Sequence, residues 1–193
     1  TLDERNFFSG YAEMLKHGLI STPGHWAELL AFDTDVIDYA RLKTMVGRSV
    51  QVKENIVRED PLERGIRKAL NLGHTVGHAF ESLALAENRP VLHGYAVAWG
   101  LVCELYLSCL LTGFPKDKMR QTVAFIKENY GAFSYDCKAY EHLYALMQHD
   151  KKNTEGIINF TLLEDVGQIA INQTADKKTI FEAFDFYRET MGA

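Results

Sequence analysis

The stretch Ile66–Ser82, "IRKALNLGHTVGHAFES", decides how the rest of the chain is read. Apolar residues recur in it at three- and four-residue intervals, the period of a helix. Yet it carries His74 and His78 four residues apart, each preceded by a glycine. A glycine costs a helix interior about 1 kcal/mol relative to alanine. Gly73 and Gly77 therefore ask for a reason outside the helix. A bare face beside the histidines would admit either a ligand or the backbone of a neighbouring helix.

Upstream, Asp60-Pro61 reads as an N-cap followed by proline at the first helical position, and Glu63 completes something close to a capping box. The spacing predicts a helix that starts here and runs on to Leu85. On such a helix Glu63, Arg67, Asn71, His74 and His78 follow one another at steps of 4, 4, 3 and 4. At 100° per residue they stay within roughly 80° of one another, a single polar stripe. Ile66, Leu70, Val76 and Phe80 flank it with apolar surface. A satisfied polar seam, with Glu63 and Arg67 as an ion pair and the histidines hydrogen-bonded in a core, accounts for any one of these residues. For a row of five it is less adequate, because burying two imidazoles, an amide and an ion pair is costly without a ligand.

Helical periodicity extends over most of the chain, from about Phe7 to Ile20, Trp26 to Leu30, Val36 to Met45, Val50 to Val57, Ala96 to Leu111 and Met119 to Tyr130. Only "GIINFTLLEDVGQIAI" reads as strand, a hairpin around "EDVG". A closing helix follows Asp176 as N-cap. The fold class is therefore mainly α, a multi-helical bundle with a small β-hairpin near the C-terminus. Pro23, Pro61, Pro90 and Pro115 fall at joints between the helices, where proline is tolerated.

Neither G-x-G-x-x-G nor G-x-x-x-x-G-K-[ST] occurs, and strands do not alternate with helices, so the chain is expected to hold no nucleotide-binding α/β domain of its own. Its 193 residues are 47% hydrophobic with a net charge of -5 and no basic stripe, which argues against a nucleic-acid partner. There is no run of about 18 consecutive apolar residues and no signal-peptide pattern, so no membrane partner is expected and a cytoplasmic location is. Cys103, Cys109 and Cys137 lack paired spacing and read as reduced, mostly buried thiols. The chain opens "TLDERNFF" without an initiator methionine and is expected to be part of something longer.

Histidines at i and i+4 can hold one metal ion from one helical face, and the spacing of His74 and His78 by itself puts both on one ion. "HTVGH" lacks the glutamate of H-E-x-x-H, so a metalloprotease is a poor reading. Two further segments strengthen a metal site. "LHGYAVAWG" sets His93 ahead of a long apolar helix, whose N-terminal dipole favours neutral imidazole. "SGYAEMLKHGLI" places Glu13, Lys16 and His17 on one turn. One glutamate with two histidines from separate segments suits a zinc-like ion with an open position. "HDKKNTEG", with Lys151 and Lys152, could join Arg67 and Lys16 in supplying cations for a carboxylate and a phosphate.

"SGYAEMLKHGLI", "ERGIRKALNLGHTVGHAFES", "LHGYAVAWGL" and "HDKKNTEG", in this order, resemble the C-terminal metal-binding domain of the 3-dehydroquinate synthase family. The resemblance runs over nearly the whole chain. It implies that residues 1–193 are a helical metal- and substrate-binding domain, normally preceded by an NAD-binding α/β domain that is absent here, with the active site between the two. It implies NAD and a divalent metal, usually zinc, as cofactors, and a homodimer for the full enzyme. The motif positions put the metal on Glu13, His74 and His93. His78 then matches a substrate and proton-transfer residue rather than a ligand, which departs from the spacing argument. Lys16 matches a catalytic and substrate-contacting position. Lys53, Glu63, Arg67 and Asn71 match substrate-binding residues, Lys53 and Arg67 as partners of a carboxylate, and Lys152 matches a phosphate contact. His17 and His25 match no functional position, and Tyr95 stands where the commonest form of the motif has glutamate.

The implied reaction converts 3-deoxy-D-arabino-heptulosonate 7-phosphate to 3-dehydroquinate and phosphate, in the shikimate pathway. Because hydride transfer needs the cofactor, the chain alone is expected to be inactive. The alternatives are a sister sugar-phosphate cyclase making another carbocycle, a metal-dependent alcohol dehydrogenase, or a helical partner-binding module that keeps the stripe only for packing.

Overall fold

A computed structural model describes residues 3–149 and 157–193. In chain order the described residues form α1 (Glu4–Leu19), α2 (Pro23–Leu30), α3 (Tyr39–Glu59), a 3-10 turn (Ile66–Asn71), α4 (His74–Ala86), α5 (His93–Leu111), α6 (Lys116–Tyr130) and α7 (Tyr140–Gln148). The strands β1 (Phe160–Asp165) and β2 (Gln168–Gln173) and a closing helix α8 (Lys177–Met191) follow. The expected helical bundle with a small hairpin is what is found.

Several helix starts are local chemistry. Asp3 accepts from the amide of Asn6 at 2.8 Å, Thr22 from that of His25 at 3.2 Å with Pro23 next in line, and Asp176 from that of Thr179 at 2.7 Å. Asp38 caps α3 through Ala40 and Arg41. The two periodic segments Val36–Met45 and Val50–Val57 join into this one helix, while Val36 itself sits in the preceding turn. The hairpin is antiparallel, turns at Gly167 and is tied to the end of α1 by a bond from Gly167 N–H to the Leu19 carbonyl at 2.8 Å.

α5 is apolar all round and lies at the centre, packed by α1, α4, α6, α8 and β1. By length and composition it could cross a membrane, with a mean hydropathy of 1.5, but 72% of that span is buried inside the protein, as in a core helix. Cys103 is buried in it and Cys109 half-buried, whereas Cys137 is exposed, against the expectation of buried thiols.

The deciding stretch departs from its sequence reading. Asp60 does not start a helix. Its carboxylate accepts from the backbone amides of Arg64, Gly65 and Arg67 at 3.0, 2.7 and 3.1 Å, wrapping a loop in which Glu63 has φ 56°. A residue in the left-handed region cannot serve as N3 of a helix. The 3-10 turn ends at Asn71, Leu72 is extended, Gly73 has φ 78°, and α4 begins at His74. The polar row therefore does not lie on one helical face. A continuous helix would have strung Glu63 and His78 about 22 Å apart; the break folds them around a common space instead.

The glycines are explained by packing. A Cβ on Gly77 would meet the Ala96 carbonyl oxygen at 2.9 Å, and one on Gly100 the Gly73 carbonyl oxygen at 2.1 Å, so α4 and α5 touch backbone to backbone. On its far side α4 inserts Phe80 among Tyr135 and Tyr187, with ring centroids 5.2 Å from each. This leaves the histidine side of α4 facing the opposite way.

Candidate metal and substrate site

The site is built where the starts of α4 and α5 meet the middle of α1. Gly94 lets α5 close on α1, since a Cβ there would stand 1.9 Å from the Ser9 carbonyl oxygen. His93 is thereby set against Glu13. Lys16, one turn along α1 and only 3% exposed, places its ammonium 2.7 Å from Glu13 Oε2. Such burial is tolerable for a lysine because it is paired.

The other carboxylate oxygen, Glu13 Oε1, is buried and has no hydrogen-bond partner among the described residues. Facing it are His74 Nε2 at 3.4 Å and His93 Nε2 at 3.8 Å. Each ring's other nitrogen is occupied. His74 Nδ1 lies 3.1 Å from the Leu72 carbonyl oxygen and His93 Nδ1 lies 3.1 Å from Glu81 Oε2. Those acceptors take the Nδ1 proton of a neutral ring and leave Nε2 bare. Three lone-pair atoms thus converge from three helices, an arrangement that repels itself unless a cation or extra protons sit between them. Burial lowers the pKa of His74, against the pull of Glu13, so the neutral ring is favoured. Burial would push the Glu13 carboxyl up, but with no cation between them a proton on His74 Nε2, together with the Lys16 ammonium, outweighs it and holds the carboxyl well below the usual range. Two imidazole nitrogens and a carboxylate oxygen are the donor set of a zinc-type ion. The residues fit a divalent cation.

His78 stands one turn further along α4, its ring 5.4 Å from that of His74 and 5.8 Å from that of His93. A ring nitrogen from each of His74, His78 and His93 lies within 4.8 Å of the others. His78 is thus in reach of whatever His74 and His93 hold.

Beside this cluster opens a cavity of about 420 Å³, a size for one small ligand. Lys16, Lys53 and Arg67 bring three cationic groups to its wall, and Glu63 and Asn71 add polar ones. Arg67 Nη1 donates to the Pro61 carbonyl at 2.7 Å and Asn71 Nδ2 to Glu63 Oε1 at 2.9 Å, so the loop and the 3-10 turn hold one another's side chains in place. Glu13, His74 and His93 complete the wall. Every expected site residue among those described is therefore here or, for His78, against it; Lys152 lies outside the described residues.

His17 and His25 take no part in this cavity. Both are buried, and His17 Nδ1 pairs with Ser49 Oγ at 2.6 Å, burial pushing its pKa down to about 3. Tyr95 points into an aromatic cluster, 5.9 Å from Trp99 and 5.2 Å from Tyr130 by ring centroids. The carboxylate that serves His93 comes from Glu81 instead. Sequence reasoning passed over Glu81, although it lies three residues after His78 and so shares its helical face.

A model of the family described as 3-dehydroquinate synthase C-terminal matches residues 10–153. The 3-dehydroquinate synthase of Parabacteroides distasonis is 59% identical over 192 residues, covering 100% of this chain and 54% of the relative. That of Listeria innocua is 34% identical over 193 residues, covering 99% of this chain and 51% of the relative. The chain spans about half the length of the curated relatives it matches. Among solved structures, the 2-epi-5-epi-valiolone synthase of Streptomyces hygroscopicus subsp. jinggangensis 5008, with NAD+ and Zn2+ bound, superposes with a TM-score of 0.83 at 18% identity, covering 98% of this chain and 53% of that one. A 2-deoxy-scyllo-inosose synthase complexed with carbaglucose-6-phosphate, NAD+ and Co2+ gives a TM-score of 0.73 at 24% identity, covering 96% and 51%. At these identities the likeness is one of fold.

Proposed function

The chain belongs to the 3-dehydroquinate synthase C-terminal family, and from that premise we propose that it is the metal- and substrate-binding domain of a 3-dehydroquinate synthase. The substrate is then 3-deoxy-D-arabino-heptulosonate 7-phosphate and the products 3-dehydroquinate and phosphate. The observation that carries this reading is the convergence of Glu13 Oε1, His74 Nε2 and His93 Nε2 at the edge of a cavity walled by Lys16, Lys53 and Arg67. A site for adjacent hydroxyls thus adjoins sites for anions, as a polyhydroxylated acid phosphate requires.

Glu13, His74 and His93 would hold the divalent cation, which supplies Lewis acidity and a template for vicinal oxygens, while NAD supplies a transient hydride acceptor. Arg67 and Lys53 bind the carboxylate, Arg67 with the planar fork that suits it. Lys16 holds Glu13 ionised and faces the bound hydroxyls. Glu63 and Asn71, already paired, orient the sugar chain. His78 exchanges a proton with the substrate at the ring nitrogen nearest the cluster. Lys152 serves the phosphate. Much of the rate enhancement is then positioning and preorganised charge.

NAD is held mainly by an N-terminal domain outside this chain, the intact enzyme works in the cytoplasm as a homodimer, and the isolated chain is inactive. A sister cyclase is the competing reading, because such enzymes share the fold. The relatives at 59% and 34% identity, both named 3-dehydroquinate synthase, favour the first. Product analysis is the test. The intact protein with heptulosonate phosphate, NAD and zinc is expected to release phosphate and 3-dehydroquinate, and the 193-residue chain none. A different carbocycle from another sugar phosphate, or turnover by this chain alone, overturns the reading.

A further inference from the structure

α4 starts without a cap of its own. Gly73 has no side chain, and its φ of 78° excludes the extended backbone from which Ser, Thr, Asp or Asn caps a helix. The first amides of any helix need acceptors nonetheless. Here they find them on another helix. Glu104, in the middle of α5, is 0% exposed, and its two carboxylate oxygens accept from Gly73 N–H at 2.6 Å and Val76 N–H at 3.0 Å. These two bonds bracket His74.

A carboxylate without access to water is costly unless its oxygens are well bonded. Its placement here has a consequence for the site. Glu104 shares α5 with His93, eleven residues earlier and so about 16 Å away along a rigid helix. One helix therefore presents one of the converging histidines at its start and, from its middle, grips the backbone that presents the other. Between the two, Gly100 lies against the Gly73 carbonyl with no room for a Cβ, so the helices cannot slide.

We propose that Glu104 is a positioning residue of the metal site, fixing the backbone of His74 relative to His93 by bonding Gly73 N–H and Val76 N–H. This rests on the reading of Glu13, His74 and His93 as metal ligands. Glutamine at 104 keeps the shape but turns an NH2 group toward one of the two amides, which then loses its acceptor.

The test uses Co2+ as the probe, titrated into the intact protein and followed by its visible ligand-field bands, with thermal melting in parallel. Glu104→Gln is expected to weaken Co2+ binding by on the order of tenfold and to change the band shape. Ile180→Ala, a buried truncation on α8, which carries none of the site residues, is expected to lower the melting temperature yet keep the wild-type spectrum and affinity. If Glu104→Gln does not fold, Glu104→Asp replaces it, since the shorter side chain cannot reach both amides, and the same change is expected. A wild-type spectrum and affinity in the position-104 variant overturns the proposal, as does an equal loss of Co2+ affinity in Ile180→Ala. Failure of the wild-type chain to bind Co2+ at all overturns the metal-site reading itself, and the inference with it.

Discussion

Replacing Gly100 by alanine tests whether the contact between α4 and α5 sets the metal site. The new Cβ would stand 2.1 Å from the Gly73 carbonyl oxygen, 2.6 Å from the Gly77 nitrogen and 2.9 Å from the Gly77 Cα. All three obstructions are backbone, so no rotamer change relieves them. Reaching ordinary van der Waals separation requires the two helices to part by at least about 1 Å. Overpacking of this kind costs about 1–3 kcal/mol, and the backbone clash puts Gly100→Ala at the upper end. For a chain of this length about 3 kcal/mol lowers the melting temperature by about 6–12 °C. The effect on metal should be larger than on folding. His74 rides on α4 and His93 on α5, and ligand distances tolerate only about 0.2 Å. Thermal melting with and without zinc, together with calorimetric zinc titration, reads both quantities. Gly47→Ala is the companion variant: nothing lies within 4 Å of a Cβ there, in the middle of α3. It is expected to stabilise by about 0.5–1 kcal/mol with unchanged zinc affinity. A Gly100→Ala protein that melts within 2 °C of wild type and binds zinc equally well would refute the reasoning.

Glu13→Ala, His74→Ala and His93→Ala should each abolish tight zinc binding in calorimetry, and Glu81→Ala should weaken it by about 10–100-fold by releasing His93 Nδ1; unchanged binding in the three alanine variants removes the ligand assignment. His78→Ala should lower the intact enzyme's kcat while leaving zinc affinity within a few-fold of wild type; a loss equal to that of His74→Ala makes His78 a ligand instead. His17 gives a pH dependence of folding. Its folded pKa of about 3 lies below the unfolded value of 6.5, so the unfolded chain binds the extra proton, and the stabilisation is present above pH 6.5 and lost as pH falls toward 3. At pH 5 the loss is about 2 kcal/mol. Urea denaturation at pH 5 and pH 7.5 should show a loss larger by about this amount in wild type than in His17→Gln; equal pH dependence in both contradicts the assignment.

Much of the architecture was legible in local pattern. Caps such as Asp176 and Thr22-Pro23, and the hairpin turn at Gly167, involve residues within a few positions of one another, so their chemistry is written in adjacent letters. The family motifs alone point to the cavity residues, because those residue types at those spacings are rare by chance. Glu81 and Glu104 escaped notice. Glu104 is an acid amid "GLVCELYLS", an anomaly visible in the sequence whose partner is 31 positions away at Gly73.

"LGHTVGHAF" marks the boundary between the two kinds of information. Periodicity marked the segment as helical, and the family resemblance assigned His74 to a metal and His78 to the substrate, roles that the variants above test. They could not say where the helix begins. Capping at Asp60 and the three- and four-residue spacing both favour a continuous helix through Asp60–Ser82, and the only local signals against it are its glycines, Gly65, Gly73 and Gly77. What breaks it at Gly73 is non-local: the carboxylate of Glu104 accepting from Gly73 and Val76, and the backbone of α5 pressing against Gly77. Those groups outweigh a turn of helix because they are buried, where an unsatisfied amide or carboxylate costs more than local propensity can supply. The break in turn gathers Glu63, Arg67, Asn71 and His74 around one cavity rather than along one face.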